Sequence, residues 1–480
     1  MKKKFVTNLA LLIFLNLLIK PFWVFGIDRT VQNVVGEQQY GLYFALFNFS
    51  LILNIFLDFG ITNYNNRNIA QNNHLLSKYL SNIVVLKFLL GIFYLLISFA
   101  IALLWGYNWM QIKLLLILAF NQFLLSFILY LRSNISGLHF FKTDSLMSVL
   151  DRSLMIIICS VLLWGNITET PFKIEWFVYA QTASYSITAI VAFLIVLSKA
   201  EYIKLKFNWK FLATTLRQSF PYALLVLLMS LYTRFDGVLL ERLLLNGEKQ
   251  AGIYAQAFRI LDAASMFSLL FAGLLLPMFA KMIKQKQPIN QLTQLSFLLI
   301  IIPSIIVSMS SFFYRKEIMS LLYHNHVEIS SNIFGVLMFA YIFVSTSYIF
   351  GTLLTANGSM KKLNTLAIFG VAINLTLNFI LIPKYLALGS AIANLITQSF
   401  IAISQIFISK KTFKFKNNYK LVSRIIIYVA GIFVLGQITR DLPYKWGFSF
   451  SIMIVLSVIF AFGLKLFNIK DIYKIIKYGD

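Results

Sequence analysis

Long apolar runs separated by short polar segments cover almost the whole chain. A helix needs about 20 apolar residues to cross the hydrocarbon core of a bilayer. The runs that meet this length lie near 6–26, 40–62, 80–105, 112–131, 146–165, 174–197, 218–243, 251–278, 293–314, 332–355, 363–382, 385–408, 421–438 and 447–467. The pattern predicts an all-α membrane protein with about 14 transmembrane helices.

The composition agrees with a surface that faces lipid. Hydrophobic residues make up 59% of the chain and charged residues only 12%, against about 25% charged residues in soluble domains. The single cysteine, Cys159, lies inside an apolar run, and the pair His324 and His326 is too weak a pattern to indicate a metal site. The sequence contains no GxxxxGK[ST] motif, so ATP hydrolysis by this chain is not expected. We expect no metal and no cofactor.

Lysine and arginine residues are distributed unevenly between alternate loops. With the N-terminus inside, 27 of the 42 lie in inside segments or at the span ends next to them, and 10 lie in outside loops or at the span ends next to those. Because cytoplasmic loops accumulate Lys and Arg, this bias predicts that both termini are cytoplasmic and that the number of spans is even. Topology therefore explains the formal charge of +25, and no nucleic-acid partner is expected.

The chain contains an internal repeat at a fixed offset of 211 residues. Residues Gly26–Phe47 and Gly237–Phe258 share seven identities in 22 positions, among them Gly36/Gly247 and Gly41/Gly252. Each copy joins the first and second spans of its half, which predicts a parallel duplication. The alternative is that both turns use the same common turn residues.

Two basic linkers, Lys199–Arg217 and Lys410–Arg424, divide the spans into six, six and two. They alternate bases with aromatic residues and are expected to lie against anionic headgroups. We therefore predict a six-helix lobe over 1–200, a second over 201–416, and two additional helices with a basic cytoplasmic tail over 417–480.

Ionisable residues inside membrane spans are costly, and each needs a reason. Arg259 and Asp262 are three residues apart and share one face of span eight, while Arg234 lies in span seven. These three residues form a candidate cluster with a net positive charge, which suits a pyrophosphate. A structural ion-pair network between the two helices would also explain them.

Other candidates lie elsewhere in the spans. Lys20 precedes Pro21, which is expected to kink span one, and its side chain either faces a cavity or extends to the outer surface. Lys87 and Arg152 are close to the inner ends of their spans, where extension to the surface is the favoured explanation. Tyr43 and Tyr254 are candidates for stacking on sugar rings, although aromatic residues at such depths more often serve packing.

Three stretches resemble bacterial oligosaccharide flippases, the polysaccharide biosynthesis transporters of the multidrug/oligosaccharidyl-lipid/polysaccharide exporter superfamily. Residues 36–70 resemble the second-helix region of that family, residues 252–282 its eighth helix, and residues 377–400 its eleventh and twelfth helices. One departure is Leu386, where the family usually has Gly. In the related lipid II flippases an essential cation lies in a Tyr-Ala-x-Arg-like context, and Arg259 matches it with one residue of difference in spacing.

The resemblance implies two six-helix lobes around a central cavity in the bacterial inner membrane. It implies that a polyprenyl-pyrophosphate-linked oligosaccharide moves from the inner to the outer leaflet by alternating access, with membrane lipids and an ion gradient or membrane potential as partners. The first alternative is a cation-coupled multidrug antiporter of the same superfamily, for which an anionic cavity is expected. The second is a membrane glycan polymerase or ligase, which the short outside loops disfavour. The chain is therefore not expected to be an enzyme.

Overall fold

The computed structural model describes residues 14–16, 18–62, 65–66, 69, 73–165, 170–202 and 209–466. The basic N-terminus, the N-terminal part of the first predicted span, much of the linker after span six and the predicted C-terminal tail lie outside these residues. A π-helix over Trp23–Asp28 and a 3₁₀ turn over Asn73–Leu75 accompany the α-helices. The α-helices are α1 (Arg29–Leu53), α2 (Ile55–Asp58), α3 (Leu76–Leu104), α4 (Trp109–Gly137), α5 (Phe141–Trp164), α6 (Ile174–Leu197), α7 (Trp209–Leu243), α8 (Gly247–Lys284), α9 (Asn290–Phe313), α10 (Arg315–Leu322), α11 (Val327–Ala356), α12 (Met360–Phe413), α13 (Tyr419–Arg440) and α14 (Trp446–Gly463).

The helix count confirms the prediction of an all-α membrane protein. Within the described residues, 11 helices are long and apolar enough to cross a membrane. The 54-residue helix α12 contains a non-helical residue, Leu386, and therefore holds two spans. The helical segments on either side of the non-helical Gly36 form two more, which accounts for fourteen.

The loop predicted between the first two spans is largely wrong. Residues 27–39 are helical, and the chain reverses at Gly36, whose φ of 79° is accessible to glycine without strain. Polar residues such as Asp28, Gln32 and Asn33 suggested a loop, but Asp28 and Gln32 are buried and helical. The sequence pattern therefore correctly predicted a turn between the two spans. The turn is confined to Gly36, however, and the residues on both sides of it are helical.

The repeat appears as a symmetric contact between its two copies. A Cβ on Gly41 would lie 1.8 Å from the carbonyl oxygen of Glu248, and a Cβ on Gly252 would lie 2.0 Å from the carbonyl oxygen of Glu37. The 211-residue offset relates Gly41 to Gly252 and Glu37 to Glu248, so the two contacts are equivalent in the repeat. Only glycine allows the backbones of α1 and α8 to approach this closely, so the shared glycines are fixed by packing and not only by turn formation.

The turn inside α12 forms in spite of its leucine. Leu386 has φ 53° and ψ −136°, a conformation that is ordinary for glycine and strained for leucine. Beyond the turn the two segments pack closely, since a Cβ on Gly389 would lie 2.3 Å from the Leu381 carbonyl oxygen. Ser390 Oγ also donates to Asn378 Oδ1 at 2.7 Å. These contacts hold the reversal in place.

The chain divides into two compact units, Met1–Ala255 and Gln256–Asp480, with the division inside α8. The core of the first unit is rich in aromatic residues, among them Tyr40, Phe44 and Phe177. In the second unit, α13 and α14 pack on α9 through Phe313, Tyr428 and Met453. The three-part division at residues 200 and 416 stays a prediction.

Candidate functional site

The first helix changes its winding where the candidate Lys20 occurs. Pro21 cannot donate a backbone hydrogen bond, and the π-helix begins two residues later at Trp23. The predicted kink thus takes the form of a π-helical segment, a distortion that is frequent at functional sites. Its winding buries Trp23 while Lys20 stays half-buried.

Lys20 lies near charged residues of α4 and α5. Its ammonium interacts electrostatically with Arg152, Asp151 and Arg132. Arg152 Nε lies 3.7 Å from Asp151 Oδ2, and Arg132 Nε lies 2.8 Å from Asp144 Oδ1. We call these five residues the N-terminal cationic cluster. Three bases against two acids leave it with one net positive charge.

Aromatic rings support the guanidinium of Arg152. Its central carbon lies 5.4 Å from the ring centroid of Trp23 and 5.8 Å from that of Tyr185. Trp23 in turn stacks on Phe177 at 5.6 Å, with the two rings nearly parallel. The cation–π contacts stabilise the charge without neutralising it. Arg152 was predicted to extend to the membrane surface, and the structure instead places it over these rings.

Tyr43 and Tyr254 are both buried and hydrogen-bonded. Tyr43 Oη accepts a hydrogen bond from Gln181 Nε2 at 2.8 Å, and Tyr254 Oη donates to Asp236 Oδ2 at 3.0 Å. Both tyrosines therefore serve packing between helices, which was the alternative to stacking on sugar rings. A role in substrate binding stays a prediction and requires that the surrounding helices separate.

The remaining candidates lie on α7 and α8. Arg259 and Asp262 are half-buried and one helical turn apart on α8, and Arg234 is half-buried on α7. The i, i+3 spacing places Arg259 and Asp262 on one face, as predicted. Their assignment to a substrate site stays a prediction.

Lys87 does not extend to the membrane surface, contrary to expectation. Its side chain is 1% exposed, and its ammonium lies 2.5 Å from Asp58 Oδ1. It also donates to the Leu57 carbonyl oxygen and to Ser126 Oγ, each at 3.0 Å. The helix breaks directly after Asp58, where Phe59 and Gly60 have positive φ, so the Leu57 carbonyl is free to accept. The lysine therefore stabilises a helix end inside the unit.

Sequence reasoning missed one buried acid, Asp28. Both of its carboxylate oxygens lie 2.9 Å from Tyr40 Oη. Residues 27–39 were assigned to the connection between the first two spans, so Asp28 was not among the intramembrane candidates. The signal that was available is the hydrophobic spacing of Ile27, Val31 and Val35 around it, which is compatible with a helix.

A second polar cluster lies where three helix connections meet, at the end of the bundle predicted to face outward. Tyr107 Oη donates to Glu241 Oε2 at 3.3 Å, and the Arg242 guanidinium carbon lies 3.4 Å from the Tyr107 ring centroid. Gln38 and Gln111 reach Glu248 at 3.3 and 3.4 Å. Burial raises the pKa of the Tyr107 hydroxyl, and the Glu241 carboxylate raises it further. Tyr107 therefore stays protonated and remains a donor.

The long apolar helices of the described residues, and the charged groups held within them, define the chain as a multi-pass membrane protein. The chain belongs to the polysaccharide biosynthesis protein family, whose model matches residues 7–283. This membership confirms the resemblance seen in the sequence.

Individual relatives agree with this assignment. Over 198 residues the chain is 28% identical to the capsular polysaccharide biosynthesis protein CapF of Staphylococcus aureus, a match that covers 40% of this chain and 49% of that relative. The match thus spans about half the length of the relative. The lipid II flippase MurJ in an inward closed conformation shares the fold with a TM-score of 0.72 and 15% identity, covering 97% of this chain and 98% of the other. An outward-facing multidrug resistance MATE family transporter of the MOP superfamily has a TM-score of 0.62 and 15% identity, covering 85% and 95%.

Proposed function

We propose that the protein moves a polyprenyl-pyrophosphate-linked oligosaccharide from the inner to the outer leaflet of the bacterial inner membrane. The observation that carries the proposal is the N-terminal cationic cluster, in which Lys20 and Arg152 lie in predicted membrane spans and Arg152 lies over two aromatic rings. Family membership supports a role in polysaccharide biosynthesis, and the similar structures support a transporter fold. No catalytic step is assigned to the chain.

The chemistry of the substrate matches this cluster. A pyrophosphate carries more negative charge than one cation can balance, and guanidinium groups bind phosphate oxygens with two parallel hydrogen bonds. Lys20 and Arg152 supply two cations in the first unit, while Arg234 and Arg259 are further cations on α7 and α8. The polyprenyl chain is apolar and stays in the lipid, so only the headgroup has to enter a polar path.

Alternating access requires that contacts at the predicted outer end can break. The close approach of α1 and α8 at Gly41 and Gly252, together with the hydrogen bonds of Tyr107 and Glu248, joins neighbouring helices at that end. In our proposal these contacts separate to release the glycan outside. An ion gradient or the membrane potential resets the protein, since one charge crossing 100 mV corresponds to about 2.3 kcal/mol.

The proposal is tested by export of surface glycan in cells that lack the chromosomal copy, normalised to the amount of protein in the membrane. Arg259→Ala is expected to abolish export while the protein still inserts. Arg259→Lys is expected to restore export only in part, because an ammonium lacks the planar fork. Lys249→Ala is the matched control, since it removes an exposed cation from the same helix and is expected to export normally.

The structural explanation of Arg259 gives a different pattern. If Arg259 only pairs with Asp262, Arg259→Ala lowers protein abundance and the additional change Asp262→Ala restores it. Full export by a well-expressed Arg259→Ala variant would contradict a cationic substrate site at this position. Export of cationic dyes with unchanged surface glycan in the deletion strain would favour the multidrug antiporter instead.

A further inference from the structure

A groove between the two segments of α12 opens at the end of the molecule predicted to face the cytoplasm. Its volume is about 540 Å³, and it is lined by Lys361, Lys362, Thr365, Phe369, Ser404 and Phe407, among others. Phe369 and Phe407 are 57% and 64% exposed, as expected for side chains that face hydrocarbon. The groove thus combines a cationic end with an apolar wall.

Lys362 is held beside the groove by a defined contact. Lys362 Nζ donates to Thr412 Oγ1 at 3.0 Å, which places its ammonium next to the end of the second segment. Phe413 and Phe415 stack on each other at 5.7 Å and pack against the buried cluster of Phe279 and Leu353. The start of the linker that follows α12 is therefore anchored to the second unit.

No internal anion balances this charge along the chain. The sequence contains no Asp or Glu between Glu328 and Asp441. The basic residues at this end of α12 and in its linker are Lys361, Lys362, Lys410, Lys411, Lys414, Lys416 and Lys420. Among the described residues, the ion pairs of the second unit leave these lysines out. A run of cations this long without a nearby acid is complementary to an external anion.

We propose that this groove is a binding site for an anionic phospholipid of the cytoplasmic leaflet. The phosphodiester lies against Lys361 and Lys362, with the hydroxyl group of Ser404 as a further donor, and one acyl chain follows Phe369 and Phe407. Basic pockets between transmembrane helices at the cytoplasmic side bind such headgroups. The proposal does not depend on the transported substrate.

The test uses native mass spectrometry of the full-length protein titrated with dioleoylphosphatidylglycerol, with dioleoylphosphatidylethanolamine as the zwitterionic comparison. The wild type is expected to retain the anionic lipid preferentially. The double change Lys361→Ala with Lys362→Ala is expected to weaken its binding about 30-fold. Ser404→Trp fills the groove without changing charge and is expected to weaken binding to a similar extent.

The matched control is Lys384→Ala with Lys445→Ala, which removes two exposed lysines from the opposite end of the helices and is expected to retain the lipid. Equal retention by the Lys361/Lys362 variant overturns the proposal. Unchanged binding by Ser404→Trp also overturns it, because the lysines would then act as surface charge without a groove. Equal retention of the zwitterionic lipid, or displacement of the phospholipid by undecaprenyl pyrophosphate at equimolar concentration, would show that the occupant is misassigned.

Discussion

Two cations inside the first unit, Lys87 and Arg152, are accommodated in opposite ways. Lys87 is 1% exposed and has three oxygen acceptors within 3.0 Å, one of them a carboxylate. The Arg152 side chain is 25% exposed, lies over two rings and has its acid 3.7 Å away. Lys87 is surrounded by protein oxygens and excluded from solvent, whereas Arg152 is partly exposed and lies beside aromatic rings. Depth in the membrane alone therefore does not identify a functional cation.

The largest effect is expected at Lys87. Lys87→Met removes the cation and leaves Asp58 without its partner, and breaking a buried pair in this way costs about 3 kcal/mol or more. Membrane abundance and the melting temperature in detergent should both fall. The double change Lys87→Met with Asp58→Asn should recover much of the stability, because it removes both charges. If Lys87→Met is stable and loses only export, Lys87 acts in transport and is not a structural cation.

A smaller effect on stability but a large one on transport is expected at Arg152. Arg152→Ala loses a long ion pair and two cation–π contacts, so it should lower the free energy of unfolding by about 1–2 kcal/mol, less than Lys87→Met. Export of surface glycan should nevertheless fall at least tenfold, and Arg152→Lys should recover part of it. Melting temperature and normalised export are measured on the same preparations. Loss of stability as large as that of Lys87→Met would show that Arg152 is also a structural cation.

The smallest effect is expected at the aromatic support of Arg152. Trp23→Leu keeps an apolar side chain but removes the better of the two cation–π contacts, worth about 0.5–2 kcal/mol. Export should fall by less than in Arg152→Ala. The same change in an Arg152→Ala background should add little, because the cation that the ring supports is already absent. Additive losses would indicate that Trp23 acts independently, for instance by contacting the substrate.

The sequence predicted the helix number and the repeat well, because both depend on patterns along the chain. The contrast between Lys87 and Arg152 was not predictable in the same way. The partner of Lys87 lies 29 residues earlier, and it becomes available only because the backbone breaks at Phe59 and Gly60. Asp28 was missed for a related reason, since polar residues in a helix that is buried on several sides resemble a loop.

The residues of the candidate site were also only partly predictable from the sequence. The i, i+3 spacing of Arg259 and Asp262 was visible in one helix, and the structure keeps it. The neighbours of Lys20 come from α4 and α5, more than 100 residues away, and no local pattern connects them. Aromatic residues were proposed as stacking platforms for sugars, whereas Trp23 and Tyr185 lie beside a guanidinium.

The glycine contact between the repeat copies has the form of an isologous dimer interface. Exchange of the copies brings Gly41 onto Gly252 and Glu37 onto Glu248, so each patch is complementary to itself. A chain of half this length, made of one copy, could therefore form the same contact with a second identical chain. In such an ancestor one substitution at the glycine would have introduced two clashes at once. After duplication each glycine became a separate target, and either position alone now suffices to disrupt the pair.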